Sequence, residues 1–387
     1  METKRLSGSS QTTLEKRRSV DPVETPENRG RIKQPALVGA VERRVFLSGT
    51  KIHGKRVLRA RSVNHRLRRQ DVDFLLEVIR EVGRLLADYL DPKRFVWVFF
   101  ADAFMWPFDN QHERSRNPDE EVYIPLQDKM LRRWMQQEGV SKLPASFSDY
   151  LTFVTRTLEE NQKRGAIAEK FEIAYFRSAK FSDPSREEAE TIYKKYAAGG
   201  VPAEPEYRIF QDYIFRYLVR EGGRLHLPVH IHSAVGIGDY FNLSEGNVFN
   251  LENILRDPRY ASTVFVMIHG GYPYEREAIW LAAAKNVYLD SSLMEIVMYP
   301  SELRSSLKVW LETFPDKITF GTDSFPYNEV LGAEESYWLG VQSARTALAA
   351  ALAEMVSMGE VSEAQALQLA RGYLHDNAVG IYQGKAH

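Results

Sequence analysis

The 387-residue chain reads as an α/β protein of the (β/α)8 TIM-barrel type, and three stretches predict it. LPVHIHSAVG (227–236), VFVMIHGGYP (264–273) and KITFGTDSFP (317–326) each run as a short apolar strand into a histidine or aspartate and then break on glycine or proline. His232 and His269 lie 37 residues apart, and His269 and Asp323 lie 54 apart. The first spacing fits one strand-helix unit. The second fits two, with NVYLDSS (286–292) as the strand between. Near-continuous apolar runs mark strands covered on both faces, and the C-terminal ends of barrel strands are where such folds hold their chemistry.

Taken in order, residues 1–35 are Ser, Thr, Glu, Arg and Pro without an apolar period, which predicts disorder. Residues 1–70 carry 18 Lys and Arg against 6 Asp and Glu, whereas the remainder carries 33 against 46. Only 45–48 looks strand-like there, and 56–69 is too rich in arginine to face a core. Between 71 and 90 the apolar positions 74, 75, 78, 79, 82, 85, 86 and 90 form a helical stripe, closed by Asp91-Pro92. Residues 94–104 are an apolar strand, and Asp102 near its end reads first as a surface or loop-capping aspartate and second as a group at the active-site mouth. The polar segment 106–142 reads as a long loop on the catalytic face, a lid or substrate-contact element.

Beyond it, 147–164 reads as a helix and 166–176 as a strand bearing Lys170, Glu172 and Tyr175. Helices follow at 185–197 and 206–221, one more than a single crossover requires. After His269 a helix is expected to begin with its N-terminus toward the mouth, an end that favours anions. Residues 331–357 and 362–382 read as amphipathic cover helices. The domain division expected is a basic, poorly ordered segment over 1–70 and a barrel over 71–387 with the long 106–142 loop.

The absence of cysteine excludes disulfides, thiolate metal sites and a cysteine nucleophile, so any metal is held by nitrogen and oxygen. No apolar run approaches the ~18 residues that span a bilayer, and the N-terminus has no signal-peptide core. A soluble, cytoplasmic protein without a membrane partner is the expectation. A net charge of −1 gives no reason to expect nucleic acid, and a homo-oligomer is left open.

With a strand period of two, His230 and His232 point to the same side. Either both serve a site, or His230 is a bonded core histidine and His232 alone is functional. Asp239, in the glycine-bearing loop that follows, is placed to orient an imidazole. Arg177 offers a fork for a carboxylate.

From about residue 94 onward the chain resembles the amidohydrolase superfamily, in particular the branch of amidohydrolase-related decarboxylases and of amidohydrolase-like domains fused to some glutamine synthetases. The residues that carry the resemblance are His232 in VHIHSAVGIGD, His269 in IHGGYPYEREA, Asp323 in FGTDSFP, and Lys170, Tyr175 and Arg177 in EKFEIAYFR. It implies that His232 and Asp323 bind a divalent metal, zinc being the expected ion, with His269 as a further ligand or a polarising group. It also implies a metal-dependent hydrolase or decarboxylase acting on a small carbonyl or carboxylate compound. Metal-activated water gives its proton to Asp323 in that scheme, and Lys170, Tyr175, Arg177, His230 and Asp239 line the substrate.

The family's first strand ends in His-x-His, and no such motif precedes residue 230. His53 and His65 stand singly among positive charges. The barrel is therefore expected to be incomplete or atypical at its first strand. Three origins fit: a start that omits the true first strand, a strand lost in a pseudoenzyme that binds a ligand or partner, or replacement by His53.

Overall fold

The computed structural model describes residues 46–52, 55–61, 96–236, 238–328 and 331–382. The disorder expected over 1–35, the helix expected over 71–90, and both His53 and His65 lie outside the described residues. Strands β1 (Phe46–Ile52) and β2 (Lys55–Arg61) pair antiparallel, from Phe46 opposite Arg61 to Ile52 opposite Lys55. Arginine-rich sequence thus supplies a strand after all, since a ladder is made of backbone groups that any residue but proline carries. This hairpin falls in a compact unit of its own, residues 1–82, and residues 83–387 form the second.

The second unit is built on six parallel strands, β3 (Trp97–Phe100), β4 (Ala166–Phe171), β5 (Val229–His232), β6 (Phe265–Ile268), β7 (Val287–Asp290) and β8 (Ile318–Thr319). They lie side by side in chain order. Each connection returns through helical structure, the arrangement of a (β/α)8 barrel. Among the described residues the sheet stops at six strands, with β3 and β8 as its edges.

Register sorts the side chains into two faces. Val229, Phe265 and Val287 are aligned, as are Ile231, Met267, Leu289 and Ile318, and all of them enter the main core beneath the helices. The residues between them, Lys170, His230, Val266 and Tyr288, line the opposite face. There Val266 and Ile268 form a separate small cluster with Ile381, flanked by Tyr288 and Tyr382.

The longer helices are α1 (Glu120–Gln137), α2 (Phe147–Lys163), α3 (Arg186–Tyr196), α4 (Glu204–Leu225), α5 (Pro300–Thr313), α6 (Ala333–Ser357) and α7 (Glu363–Arg371). Their starts follow capping chemistry. Ser146 accepts the Asp149 N–H, and Ser185 with Glu188 and Ser362 with Gln365 complete capping boxes. A last short helix, α8 (Asn377–Tyr382), brings Ile381 and Tyr382 to the inner face.

Two expectations are corrected here. The 106–142 segment holds the 18-residue helix α1, whose Ile124, Leu131, Trp134 and Met135 are buried; its charged outer positions and Pro125 mask the stripe. The strand expected over 166–176 ends at Phe171, because the Asp102 carboxylate takes the Glu172 N–H at 2.9 and 3.0 Å. A helical turn, Ile173–Phe176, follows, so Tyr175 and Arg177 lie past the strand.

Candidate active site

Backbone strain marks one end of the sheet. Of the five non-glycine residues with left-handed φ among the described residues, four follow the C-terminal ends of β5 to β8: Ala234 (55°), His269 (68°), Leu293 (70°) and Asp323 (48°). Each costs about 1–2 kcal/mol, and strain of this kind gathers at functional sites. His269 is followed by Gly270 at φ 58°, where a Cβ would come within 2.3 Å of the Trp310 ring. Only glycine fits that turn.

His232 and His269 meet edge to face, ring centroids 4.5 Å apart. Nε2 of His232 donates to the Val235 carbonyl at 2.5 Å, and Nδ1 of His269 donates to the Ser292 carbonyl at 2.8 Å. The remaining nitrogens, Nδ1 of His232 and Nε2 of His269, face one another at 3.1 Å. Burial pushes His269 down to about 4, against the pull of Asp323. Burial, then the charges of His269 and Lys170, hold His232 well below the usual histidine value. Both rings are thus neutral near pH 7 with their N–H groups committed to carbonyls, which leaves two lone pairs facing each other. An electrophile between them relieves that repulsion. Neutral imidazole nitrogen is a zinc donor, and these two nitrogens would hold such an ion. These two donors fit a metal.

Asp323 stands beside them, close enough for its charge to raise His269 and also Asp290 and Tyr327. Its own carbonyl accepts the Tyr327 hydroxyl at 3.1 Å. Among the described residues no three His, Cys, Asp or Glu side chains gather as a ready-made ion site. Two further acids border the site. Asp290, at the end of β7, accepts Ser292 N–H and the Thr319 hydroxyl, each at 3.1 Å, and burial raises its pKa. Glu295 accepts from Ser291 and Tyr373 and is pushed well up by burial. Asp290 carries the signal that singled out His269 and Asp323, an acid closing an apolar strand.

The other sequence-predicted residues divide. Lys170 lies on the inner face with its Nζ 3.6 Å from Glu172, and its charge lowers His230, His232 and His269. Tyr175 packs on the His232 ring at 4.6 Å and on Phe241 at 5.2 Å. Arg177 is turned away into the helical layer. Its guanidinium pairs with Asp212 at 2.6 Å, bonds Gln211 and the carbonyls of Ser178 and Lys180, and lies over Phe181. Asp239 is exposed, and the imidazoles are oriented by backbone carbonyls instead. Asp102 serves as the cap of Glu172.

His230 is a bonded histidine. The Tyr382 hydroxyl of α8 and His230 Nε2 share a hydrogen bond of 2.6 Å, and burial with the Lys170 charge pushes the imidazole down to about 3. Nothing in sequence links two residues 152 apart. Tyr382→Phe is expected to cost about 1–2 kcal/mol, the cost of leaving a buried polar group unmet. Urea unfolding measures it; unchanged stability would show that water replaces the hydroxyl.

The loop after β5 is also held. Asp119 accepts the Tyr240 N–H at 3.0 Å, and Gly238, at φ 138°, lies so near that a Cβ would stand 2.5 Å from the same carboxylate. This clasp fixes the loop that contains Val235, the acceptor for His232.

The amidohydrolase family model matches residues 168–383. The chain belongs to the amidohydrolase family. Protein fluG of Emericella nidulans is 31% identical over 160 residues, 40% of this chain and 17% of that protein. A putative metal-dependent hydrolase from Lactobacillus casei superposes with a TM-score of 0.54 at 19% identity, covering 66% of this chain and 63% of its own. Uronate isomerase of Thermotoga maritima does so with 0.54 at 13%, covering 74% and 61%. Glucuronate isomerase of Caulobacter crescentus gives 0.53 at 17%, covering 76% and 59%. The amidohydrolase chain therefore spans less than two thirds of each of these proteins, and the solved ones share its fold. No described helix is long and apolar enough to cross a membrane.

Proposed function

We propose that the chain is a metal-dependent hydrolase, or a decarboxylase using the same site, acting on a small carbonyl or carboxylate compound. What carries the reading is the pair of facing nitrogens of His232 and His269, 3.1 Å apart and each backed by a backbone carbonyl. His232 and His269 would hold a divalent ion, zinc foremost, with Asp323 as the third donor. Such an ion supplies Lewis acidity, acidifying water and polarising a carbonyl.

The chain's own residues do the rest. Asp323 takes the proton of the attacking water. Lys170, whose charge reaches all three inner-face histidines, draws the substrate's anionic group to the mouth. Tyr175 and Phe241 wall off one side of His232 from water. Asp290, whose carboxyl burial makes easier to protonate, borders the same site.

Zinc titrated into metal-free protein is expected to bind at about one ion per chain, weakly and exchangeably, because only two donors are already in contact. The ring 15N resonances of His232 and His269 should both shift. His232→Ala should abolish the binding and Asp323→Ala should weaken it. If neither ring responds to zinc, manganese or cobalt, the metal reading fails. A second reading, a barrel that binds a small carboxylate without catalysis, is favoured because among the described residues no three donors are already gathered. Carboxylate binding that needs Lys170 but no metal would select it.

A further inference from the structure

Helices α6 and α7 pack together and leave an open groove of about 620 Å³, walled by Leu348, Leu352, Val356, Leu367 and Leu374. Leu367 is 70% exposed and Leu374 38%, on a face that no described segment covers. The two ends of the groove carry opposite charges, Arg345 and Glu363. Neither makes an ion pair with the described residues. Arg345 and Ser357, on one helix, are about 18 Å apart at 1.5 Å per residue. Glu363 begins α7 just beyond the Ser357 end.

We infer that this groove is a self-complementary interface with a second copy of the chain. A twofold axis through its middle lays each α7 along the other's groove. Leu367 then enters the partner's apolar floor, where the small side chains of Ala349, Ala353 and Ala370 allow close approach. The same axis sets Arg345 against the partner's Glu363, and it does so twice. An isologous contact sets each end of the groove against the opposite end of its copy, so opposite charges at the two ends meet. A uniformly acidic or basic partner helix would meet a like charge at one end. The α6 side of the seam is the groove's own lining, from Arg345 to Ser357, about 18 Å long.

Sedimentation velocity on the full chain over a range of concentrations tests the inference. The wild type is expected to dimerise. Leu367→Glu should give a monomer with unchanged far-ultraviolet circular dichroism, since the side chain it replaces is exposed. Arg345→Glu and Glu363→Arg should each weaken the dimer about tenfold, roughly 1.4 kcal/mol, and the two together should restore it. A wild type that stays monomeric at about 100 µM, the scale of a weak specific contact, overturns the inference. So does a dimer indifferent to Leu367→Glu. A double reversal no tighter than either single one overturns the proposed pairing.

Discussion

Replacing Arg177 with methionine is expected to destabilise the second unit by about 3–5 kcal/mol, the range for breaking a buried ion pair from one side. The guanidinium is 2% exposed and its partner carboxylate, Asp212 on α4, is 6% exposed. Burial pushes Arg177 down only to about 10, so it carries its charge at neutral pH. Methionine fills the space over Phe181 but leaves the Asp212 carboxyl with the Ser182 N–H and hydroxyl as its hydrogen-bond partners. Asp212→Asn in the same background should recover part of the loss, and a double-mutant cycle in urea measures the coupling. If Arg177→Met folds with wild-type stability and instead weakens carboxylate binding, the guanidinium serves substrate after all.

Glu169→Met is expected to act in the opposite direction, adding about 1–3 kcal/mol at pH 7 to 8, the desolvation cost of a buried polar group left unmet. Glu169 faces the core side of β4, fully buried, and neither carboxylate oxygen has a hydrogen-bond partner. Burial and then the charge of Glu221 hold its pKa well above 4.5. The folded state therefore keeps a proton that the unfolded state releases, and stability falls as pH rises beyond the unfolded value. Methionine removes that slope. Stability curves of the two proteins that run parallel from pH 4 to 8 would rule the explanation out. Gly222 belongs to the same packing, since a Cβ there would come within 2.5 Å of Glu169 Oε1.

These two residues show where a sequence stops being legible. Strands β5, β6 and β7 could be read because parallel strands covered on both faces are apolar along their length, so a histidine or aspartate at the end stands out. The contact between His232 and His269 follows from that pattern once the strands are neighbours. Arg177 is two residues past Tyr175, yet one turns into the helical layer and the other onto an imidazole. Asp102 decides this by ending β4 through a bond 70 residues distant, which local spacing does not encode. The helix inside 106–142 was hidden for another reason: a surface helix with one narrow buried stripe and an internal proline resembles a polar loop. Contacts set by tertiary structure alone, such as that between Tyr382 and His230, leave no local trace.

The two-faced register of the sheet constrains how this sequence can change length. In β5 the side chains alternate between Val229 and Ile231 on the core side and His230 and His232 on the inner side. One codon inserted or deleted within the strand would exchange those sets. Two imidazoles would then face the helices, and two aliphatic side chains would face the mouth. The lineage can therefore tolerate gaps before Val229 or beyond the Asp119 clasp, while gaps between residues 229 and 235 should be purged. A deep insertion-deletion scan of the gene, scored for folded protein, should show that boundary as an abrupt step.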